Sequence, residues 1–362
     1  MGRRIVASMT TAVDAVVRRL RTRCYAGSDA TSLQTEFLDC LADVVPFDAA
    51  FCAPVDPATL LFTGSVLRDI APESAQRFLA NEFFEPDVNK FRLLASAPAP
   101  VEYLDRATRG DRAVSMRYRE IMAPMGLGDE LRASLRAGGE CWGFLCLHRA
   151  DGPRGFSATE ARLVARLSAL VGEGMRRSLL AATCSDTAAP DEPGMLVVDD
   201  NGAVVATTAA GERWLWELDD SGVTGLPASM AVQSVRARLL STLAGDQPVG
   251  KPSVRIRTRS GRWVILHAAE IDGIGAGRHV AVMIEPVRKA ELAPMILAAH
   301  GLTKREGEVA QLALHGKTNK HIARALRISE HTVEDHFKSI FTKVGVSTRG
   351  ELAAVVFAQH YH

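Results

Sequence analysis

Apolar residues recur at helical spacing at the start of the chain. Val6, Met9, Val13, Val16, Val17 and Leu20 are interleaved with Asp14 and Arg18, which predicts a packing helix rather than a continuous apolar export signal. Leu33 to Val45 reads as a second helix, Ala49 to Pro54 and Leu60 to Val66 as strands, and Pro72 to Phe84 as a third helix. The period then drops to two: Leu131 to Ala137 and Trp142 to Arg149 read as strands joined by Gly138-Gly139. A helix from Ser157 to Leu180 follows, with Leu163, Leu167, Leu170 and Val171 on one face. Ala181 to Gly194 (AATCSDTAAPDEPG) is small, polar and Pro-bearing, the composition of a linker. Beyond it, Met195 to Val198 and Ala203 to Thr207 read as strands flanking the turn Asp199-Asp200-Asn201-Gly202. A helix near Glu212 to Leu218 comes next, then strands at Ser253 to Thr258, Trp263 to Glu270 and His279 to Glu285.

The last sixty residues carry the most specific signal. Thr303 and Glu306 form a T-x-x-E capping box ahead of Val309, Leu312 and Ala313, and Gly316 closes that helix. Thr318 caps a shorter helix that buries Ile322, Ala323 and Leu326, and a turn through Arg327 and Ile328 leads to Ser329, the cap of a third. Two helices joined by a tight turn predict helix-turn-helix geometry. On the third helix Val333, Phe337, Ile340, Phe341 and Val344 share the packed side, while Asp335, Lys338, Ser339 and Thr342 are expected to point away, with Glu334 on the flank. A polar face alone is what any surface helix shows. The run from LTKREGEV through TNKHIA and ISEHTVEDH to KVGVSTRGEL, however, resembles the LuxR-type helix-turn-helix family over some fifty residues.

That resemblance implies a double-stranded DNA partner, with the third helix in the major groove. The positions matching the base-facing places are Glu334, Asp335 and Lys338. Thr318, Asn319, Lys320, Thr332, Lys343 and Arg349 match places near the phosphates, and the helix from the Ser347 cap through Leu352, Val355 and Val356 resembles the family's dimerisation helix. His336, off the outer face of the third helix, reads as a packing residue. Many relatives carry a basic residue where this chain has Glu334. The balance from Gly301 to His362, nine Lys and Arg against six Asp and Glu, predicts moderate, salt-sensitive affinity per head. A homodimer engaging two half-sites is therefore expected.

The order of elements before the linker resembles a GAF domain, and the segment after it a PAS domain. The expected fold class is α+β multidomain: a GAF-like α/β sandwich over 1–182, a linker at 183–194, a PAS-like domain over 195–286, a linker helix at 287–300 and the helix-turn-helix module at 301–362. Those N-terminal units imply control by a small-molecule effector or a partner. Phe83-Phe84-Glu85-Pro86-Asp87-Val88 with Pro98 and Pro100 echoes the lactone-binding domain of quorum-sensing members, the alternative reading. A nucleotide-binding signalling protein or enzyme is the competing class.

Composition sets outer limits. With 362 residues, 47% of them hydrophobic and 23% charged, the chain has room for two or three domains, and no segment reads as membrane-spanning. The cysteines at 24, 40, 52, 141, 146 and 184 contain no C-x-x-C pair and are expected to be reduced, in a cytoplasm. Gly245 to Lys251 nearly makes a phosphate loop, but Pro252 stands where a hydroxyl should reach magnesium. Cys141 and Cys146, five apart on one strand, are expected on opposite faces, so no metal is assigned to them. Trp142, Phe144, Cys146 and His148 are expected to share a face, either as core or as a candidate ligand pocket. Arg255, Arg257 and Arg259 read as a solvated strand face. Asn89-Lys90-Phe91 matches only a fragment of a nucleotide-binding signature. No catalytic pair or cofactor signature emerges.

Overall fold

The computed structural model describes residues 2–25, 29–181, 191–219, 226–245, 250–272 and 277–358. Val16, Leu20 and Cys24, four residues apart, are the buried stripe of helix α1 (Gly2–Tyr25), as the period at the chain start predicts. Val6 and Met9 lie outside the residues whose side chains are described. In α2 (Ala30–Ala42) the Asp29 carboxylate caps the Ser32 amide at 2.9 Å, and Leu33, Phe37, Leu38 and Leu41 are buried. These helices and α6 (Ala158–Ala181) cover one face of a five-stranded antiparallel sheet. Its strands are β1 (Ala49–Pro54), β2 (Val66–Arg68), β3 (Val101–Tyr103), β4 (Leu127–Ala137) and β5 (Glu140–Ala150), in the order β2-β1-β5-β4-β3. Gly172 lets α6 lie directly on β4, because a Cβ there would meet the backbone at Leu135 and Arg136 at 2.8 Å. Helices α3 (Pro72–Phe84) and α4 (Phe91–Ser96) border the opposite side of this sheet, and α5 (Leu104–Ala107) follows β3.

Two local features depart from the expected pattern. Leu60 to Val66 does not extend as a strand: Asp56 turns the chain by accepting from the amides of Ala58, Thr59 and Leu60, and Leu60 adopts φ 58°. Only an isolated bridge, Val55 to Phe62, remains ahead of β2. In the β4–β5 hairpin, Leu135 pairs with Gly143 but Arg136 with Cys141, so Trp142 is the extra residue of a bulge. The bulge reverses the face of everything before it. Cys141 therefore joins Phe144 and Cys146 in one core, while Trp142 turns to the opposite core with Leu145 and Leu147. Both expectations about this strand, Cys141 opposite Cys146 and Trp142 beside Phe144, Cys146 and His148, are corrected by that single residue.

The middle segment forms a second antiparallel sheet of β6 (Gly194–Val198), β7 (Val204–Thr207), β8 (Ser253–Arg257), β9 (Trp263–Ile271) and β10 (His279–Pro286). Its order, β7-β6-β10-β9-β8, repeats the positional order of the first sheet. Helix α7 (Ala209–Leu218) starts at Thr208, whose hydroxyl accepts from the Gly211 amide. Helix α8 (Met230–Leu243) lies on the inner face of the sheet and against α3. It has no sequence signature because Gln233, Ser234, Arg236, Arg238 and Ser241 are buried along with Val232, Val235 and Leu239, so no polar stripe exists to set a helical period. Most of the expected 183–194 linker, and residues 246–249 of the near phosphate loop, lie outside the described residues.

Arg255 corrects the reading of a solvated arginine face. It is 8% exposed, and its guanidinium donates to Asp56 at 2.8 and 2.6 Å from Nε and Nη2 and to the Glu291 carbonyl at 2.8 Å from Nη1. Glu291 belongs to α9 (Lys289–Ala299), the helix leading to the C-terminal module, which comprises α10 (Lys304–Leu314), α11 (Asn319–Leu326), α12 (Glu330–Val344) and α13 (Arg349–Ala358). Leu292, Met295, Ile296 and Leu297 of α9 are all buried, against α6, α10 and α13. Among the described residues no helix is long and apolar enough to cross a membrane.

Removing one partner of a buried ion pair strands the other. Asp56→Ala is expected to cost about 3 kcal/mol, while the double exchange Asp56→Leu with Arg255→Met recovers most of that loss. Urea unfolding of the full-length variants checks the order.

Candidate nucleic-acid interface and buried polar centre

The C-terminal module follows its caps closely. Thr303 and Glu306 make the reciprocal box, Thr318 caps α11 and Ser329 caps α12. The turn between α11 and α12 is closed by Arg327 in the left-handed region at φ 54°. Val333, Phe337 and Ile340 of α12 are buried against α10 and α11. On its outer face the side chains of Glu334, Asp335 and Lys338 are 56, 55 and 73% exposed. Lys338 Nζ donates to Asp335 Oδ1 at 2.9 Å. Ser339, expected outside, points inward instead and donates to Glu306 Oε1 at 2.6 Å. Thr342 donates to the Lys338 carbonyl, and His336 is half-buried.

Several positions matched to the phosphates have partners within the module. Lys343 Nζ donates to both Glu306 oxygens, at 2.9 and 2.7 Å. Arg349 lies over the Phe337 ring at 4.2 Å and donates to the Lys317 carbonyl and to Asn319 Oδ1. Thr318 Oγ1 meets His321 Nδ1 at 2.9 Å, and Thr332 Oγ1 meets Ser329 Oγ at 2.8 Å. Lys320 is exposed. Leu352 and Val356 of α13 are buried, and the helix packs on α9 and α10, so its apolar face is occupied within the chain.

In the N-terminal unit the structure assembles a charged cluster that the sequence reading did not find. Arg117, fully buried, donates from Nε and Nη2 to Glu130, at 2.6 Å for the shortest contact, and from Nη1 to Asn81 Oδ1 at 2.9 Å. Arg132 donates to Glu82 at 2.7 Å and lies over Phe91 at 4.3 Å. Burial acts to raise the Glu130 carboxyl, but the Arg117 and Arg132 guanidiniums hold it far below the usual range. Lys90 donates to the carbonyls of Asn81 and Glu82 at the end of α3, and burial lowers its ammonium to about 8. The signal in the sequence was Glu130 and Arg132 alternating with Leu131 and Ala133 in the strand.

Phe144, Cys146 and His148 face this cluster. Cys146 and His148 line a cavity of about 50 Å³ with Phe51, Phe62, Phe78 and Phe91. The donor atoms of Glu130, Cys146 and His148 lie within 4.8 Å of one another, a spacing compatible with metal ligation. Burial holds His148 down to about 4 and so keeps its imidazole in the neutral, ligating form, but the other two groups oppose a cation: Glu130 already accepts from Arg117, and burial pushes the Cys146 thiol well up, which keeps it protonated. Trp142 lines a separate cleft of about 690 Å³ between the two sheet units, with Gln34, Met175, Arg255, Trp263 and, from α9, Met295.

Glu306 holds α10 to α12, and this has a pH signature. Burial would raise its carboxyl, but hydrogen bonds from Lys343, Ser339 and Thr303 bring it down to about 2. A folded-state value below the unfolded one, about 4.3, means this stabilisation is complete above roughly pH 5 and is lost as pH falls toward 2. A 301–362 fragment is expected to be helical by circular dichroism at neutral pH and to lose stability through that window. Glu306→Gln should be less stable at pH 7 by on the order of 1–3 kcal/mol and should lack the acid-dependent loss.

Residues 300–356 match the family model for bacterial regulatory proteins of the luxR family, and residues 9–175 match the GAF domain model. The spore germination protein GerE of Bacillus subtilis is 48% identical over 50 residues, 14% of this chain and 68% of that protein. The transcriptional regulatory protein LiaR of the same organism is 42% identical over 66 residues, 18% of this chain and 30% of LiaR. The uncharacterised response regulatory protein YgeK of Escherichia coli is 49% identical over 51 residues, and the chain covers 35% of its length. Among solved structures, SdiA in complex with octanoyl-rac-glycerol aligns at 15% identity and TM-score 0.33 over 95% of this chain and 96% of that one. A Vibrio cholerae VqmA–ligand–DNA complex aligns at 20% identity and TM-score 0.22, over 47% of this chain and 83% of the other. With the capped helices and the half-exposed α12, the two family-model matches and the GerE match show that the chain belongs to the luxR family of bacterial regulatory proteins and carries an N-terminal GAF domain.

Proposed function

We propose that this chain is a sequence-specific DNA-binding transcription regulator that works as a homodimer in the cytoplasm. One observation carries the reading. α12 buries Val333, Phe337 and Ile340 while presenting Glu334, Asp335 and Lys338 outward, the division that a groove-reading helix requires. The relative LiaR is a transcriptional regulatory protein, which supports a regulatory and non-enzymatic role. Thr318, Asn319, Lys320, Thr332, Lys343 and Arg349 serve the phosphate backbone. For Lys343 and Arg349 that service is secondary to holding the module together.

The division 1–182, 195–286 and 301–362, with 183–194 and 287–300 between, is our reading of the domain organisation. The five-stranded sheet of the middle segment, with α8 against its inner face, supports a second, PAS-like sensor unit. The cleft between the sheet units suits a small-molecule effector better than the cavity at Cys146 and His148. About 50 Å³ holds only a few waters, whereas about 690 Å³ lies within the usual range for ligands. Met295 in the cleft wall belongs to α9, so an occupant there would bear directly on the helix that carries the head.

Selection from random DNA by the full-length protein tests the reading. Lys338 can donate to guanine, whereas Glu334 and Asp335 can only accept, from cytosine or adenine amino groups. Lys338→Ala is expected to weaken binding by about 1–3 kcal/mol and flatten the selected motif. Asp335→Ala, which also removes the hydrogen-bond partner of Lys338, and Glu334→Ala should broaden preference at a cytosine or adenine position and raise non-specific affinity. Identical motifs from all four proteins would refute the groove assignment.

A further inference from the structure

We propose that the cleft between the two sheet units takes a neutral, flat aromatic molecule bearing an amide group, which donates to Gln34 Oε1 and accepts from Trp263 Nε1. The inference rests on the reading of this cleft as the effector site and deepens it by naming the chemical class of the occupant.

Four elements supply the apolar wall. Trp142 of β5, Met175 of α6, Trp263 of β9 and Met295 of α9 line the cleft, so both units and the helix before the head share it. Trp142 stands on this side only because the bulge in β5 turns it away from Phe144 and Cys146. Indole faces and thioether sulfurs are polarisable and pack well on rings, which favours a planar aromatic body.

Two polar groups of this wall have no partner among the described residues. Gln34 is 1% exposed; its Nε2 donates to the Ala30 carbonyl at 2.9 Å, while its Oε1 accepts from nothing. Trp263 is 4% exposed and its Nε1 donates to nothing, whereas Trp142 Nε1 donates to the Ala137 carbonyl at 2.9 Å. One group is an acceptor from the first unit and the other a donor from the second. A buried group left unpaired is costly, so a ligand that pairs both gains affinity and joins the units. An amide carries the complementary N–H and C=O. Ser65 Oγ, also unpaired, lies in the same wall and can serve as either.

Charge decides that the ligand is neutral. The charged side chains lining the cleft are engaged within the chain: Asp56 with Arg255, Asp29 with the Ser32 amide and hydroxyl, and Glu217 with the Ser260 amide. Arg257 donates to the Gly261 carbonyl, Arg259 to the Trp216 and Asp219 carbonyls, and Asp219 is partnered as well. An ionised ligand would give up its water and displace one of these partners to find a counter-charge.

Three probes that share a bicyclic ring and differ in charge test the class: indole-3-acetamide, indole-3-acetate and tryptamine, titrated calorimetrically into full-length protein at neutral pH. The amide is expected to bind at least on the order of tenfold more tightly than the anion or the cation, the effect of one or two hydrogen bonds. Trp263→Phe keeps the aromatic wall and removes the N–H, Gln34→Met keeps the length and removes the carbonyl, and each should weaken amide binding on the order of tenfold. Cys146→Ala, in the separate cavity, should leave it unchanged. The wild-type probe series decides the class even where a variant fails to fold, which circular dichroism reveals. No binding by the amide, equal or tighter binding by either charged probe, or amide binding indifferent to both wall substitutions overturns the inference. If the amide binds as expected but leaves the affinity for the selected duplex unchanged, the inference stands and the effector reading of the cleft fails.

Discussion

The arrangement of the whole chain depends on burying one short helix. Residues 289–299 bury Leu292, Ala293, Met295, Ile296, Leu297 and Ala299 over more than half of their circumference, leaving Ala290, Glu291 and Pro294 exposed, and so wide an apolar face must be covered from several directions. α6 covers one flank, α10 and α13 of the C-terminal module cover others, and Trp263 and Ile265 of the middle sheet join the same continuous core. Each fully buried Leu, Ile or Met contributes about 1.5–3 kcal/mol, so stripping this helix of its cover would cost several such contributions. A ligand at a hundred times its dissociation constant supplies about 2.7 kcal/mol. That comparison favours an effector that shifts the helix within its seat over one that releases the head.

Directional contacts hold that apolar seat in register. Arg255 reaches Asp56 in the first unit, stands on a strand of the second and donates to Glu291 of the buried helix, so one guanidinium ties three segments together. Arg176 of α6 adds a hydrogen bond to the Ala299 carbonyl at the other end of the helix, next to Gly301 at φ +77°, where the chain turns into the DNA-reading module. Buried ion pairs add little net stability because desolvation offsets their attraction. Their effect is geometric: a shifted arrangement leaves a charge stranded, which loose apolar packing alone would tolerate. Arg117 and Glu130 do the same inside the GAF domain, fixing the loop at Asp87 and Val88 against β4.

Within the C-terminal module, residues that face DNA in the proposed reading also hold the fold. Glu306 gathers the Thr303 cap, Ser339 and Lys343 on one carboxylate, and Arg349 caps the Phe337 ring. Loss of DNA binding on mutating Lys343 or Arg349 would therefore mix folding with contact. Glu334, Asp335 and Lys338, with no packing duty, separate the two.

What the sequence determined by itself was local. Caps, helical stripes and two-residue periods depend on neighbours within a few positions, so the four helices of the C-terminal module, the GAF-like order of elements and most strands of both sheets were legible from residue spacing. α8 was not, because a helix covered on several sides carries no polar stripe. The Trp142 bulge could not be foreseen, since one unpaired residue is a property of the partner strand, and it moved Trp142 away from the face assigned to it. The Arg117–Glu130 centre, the Arg255–Asp56 pair across 199 positions and the inward turn of Ser339 join residues distant in the chain. A charged residue in a strand reads as solvated until the fold supplies its counter-charge and removes the water. Only the tertiary structure does both.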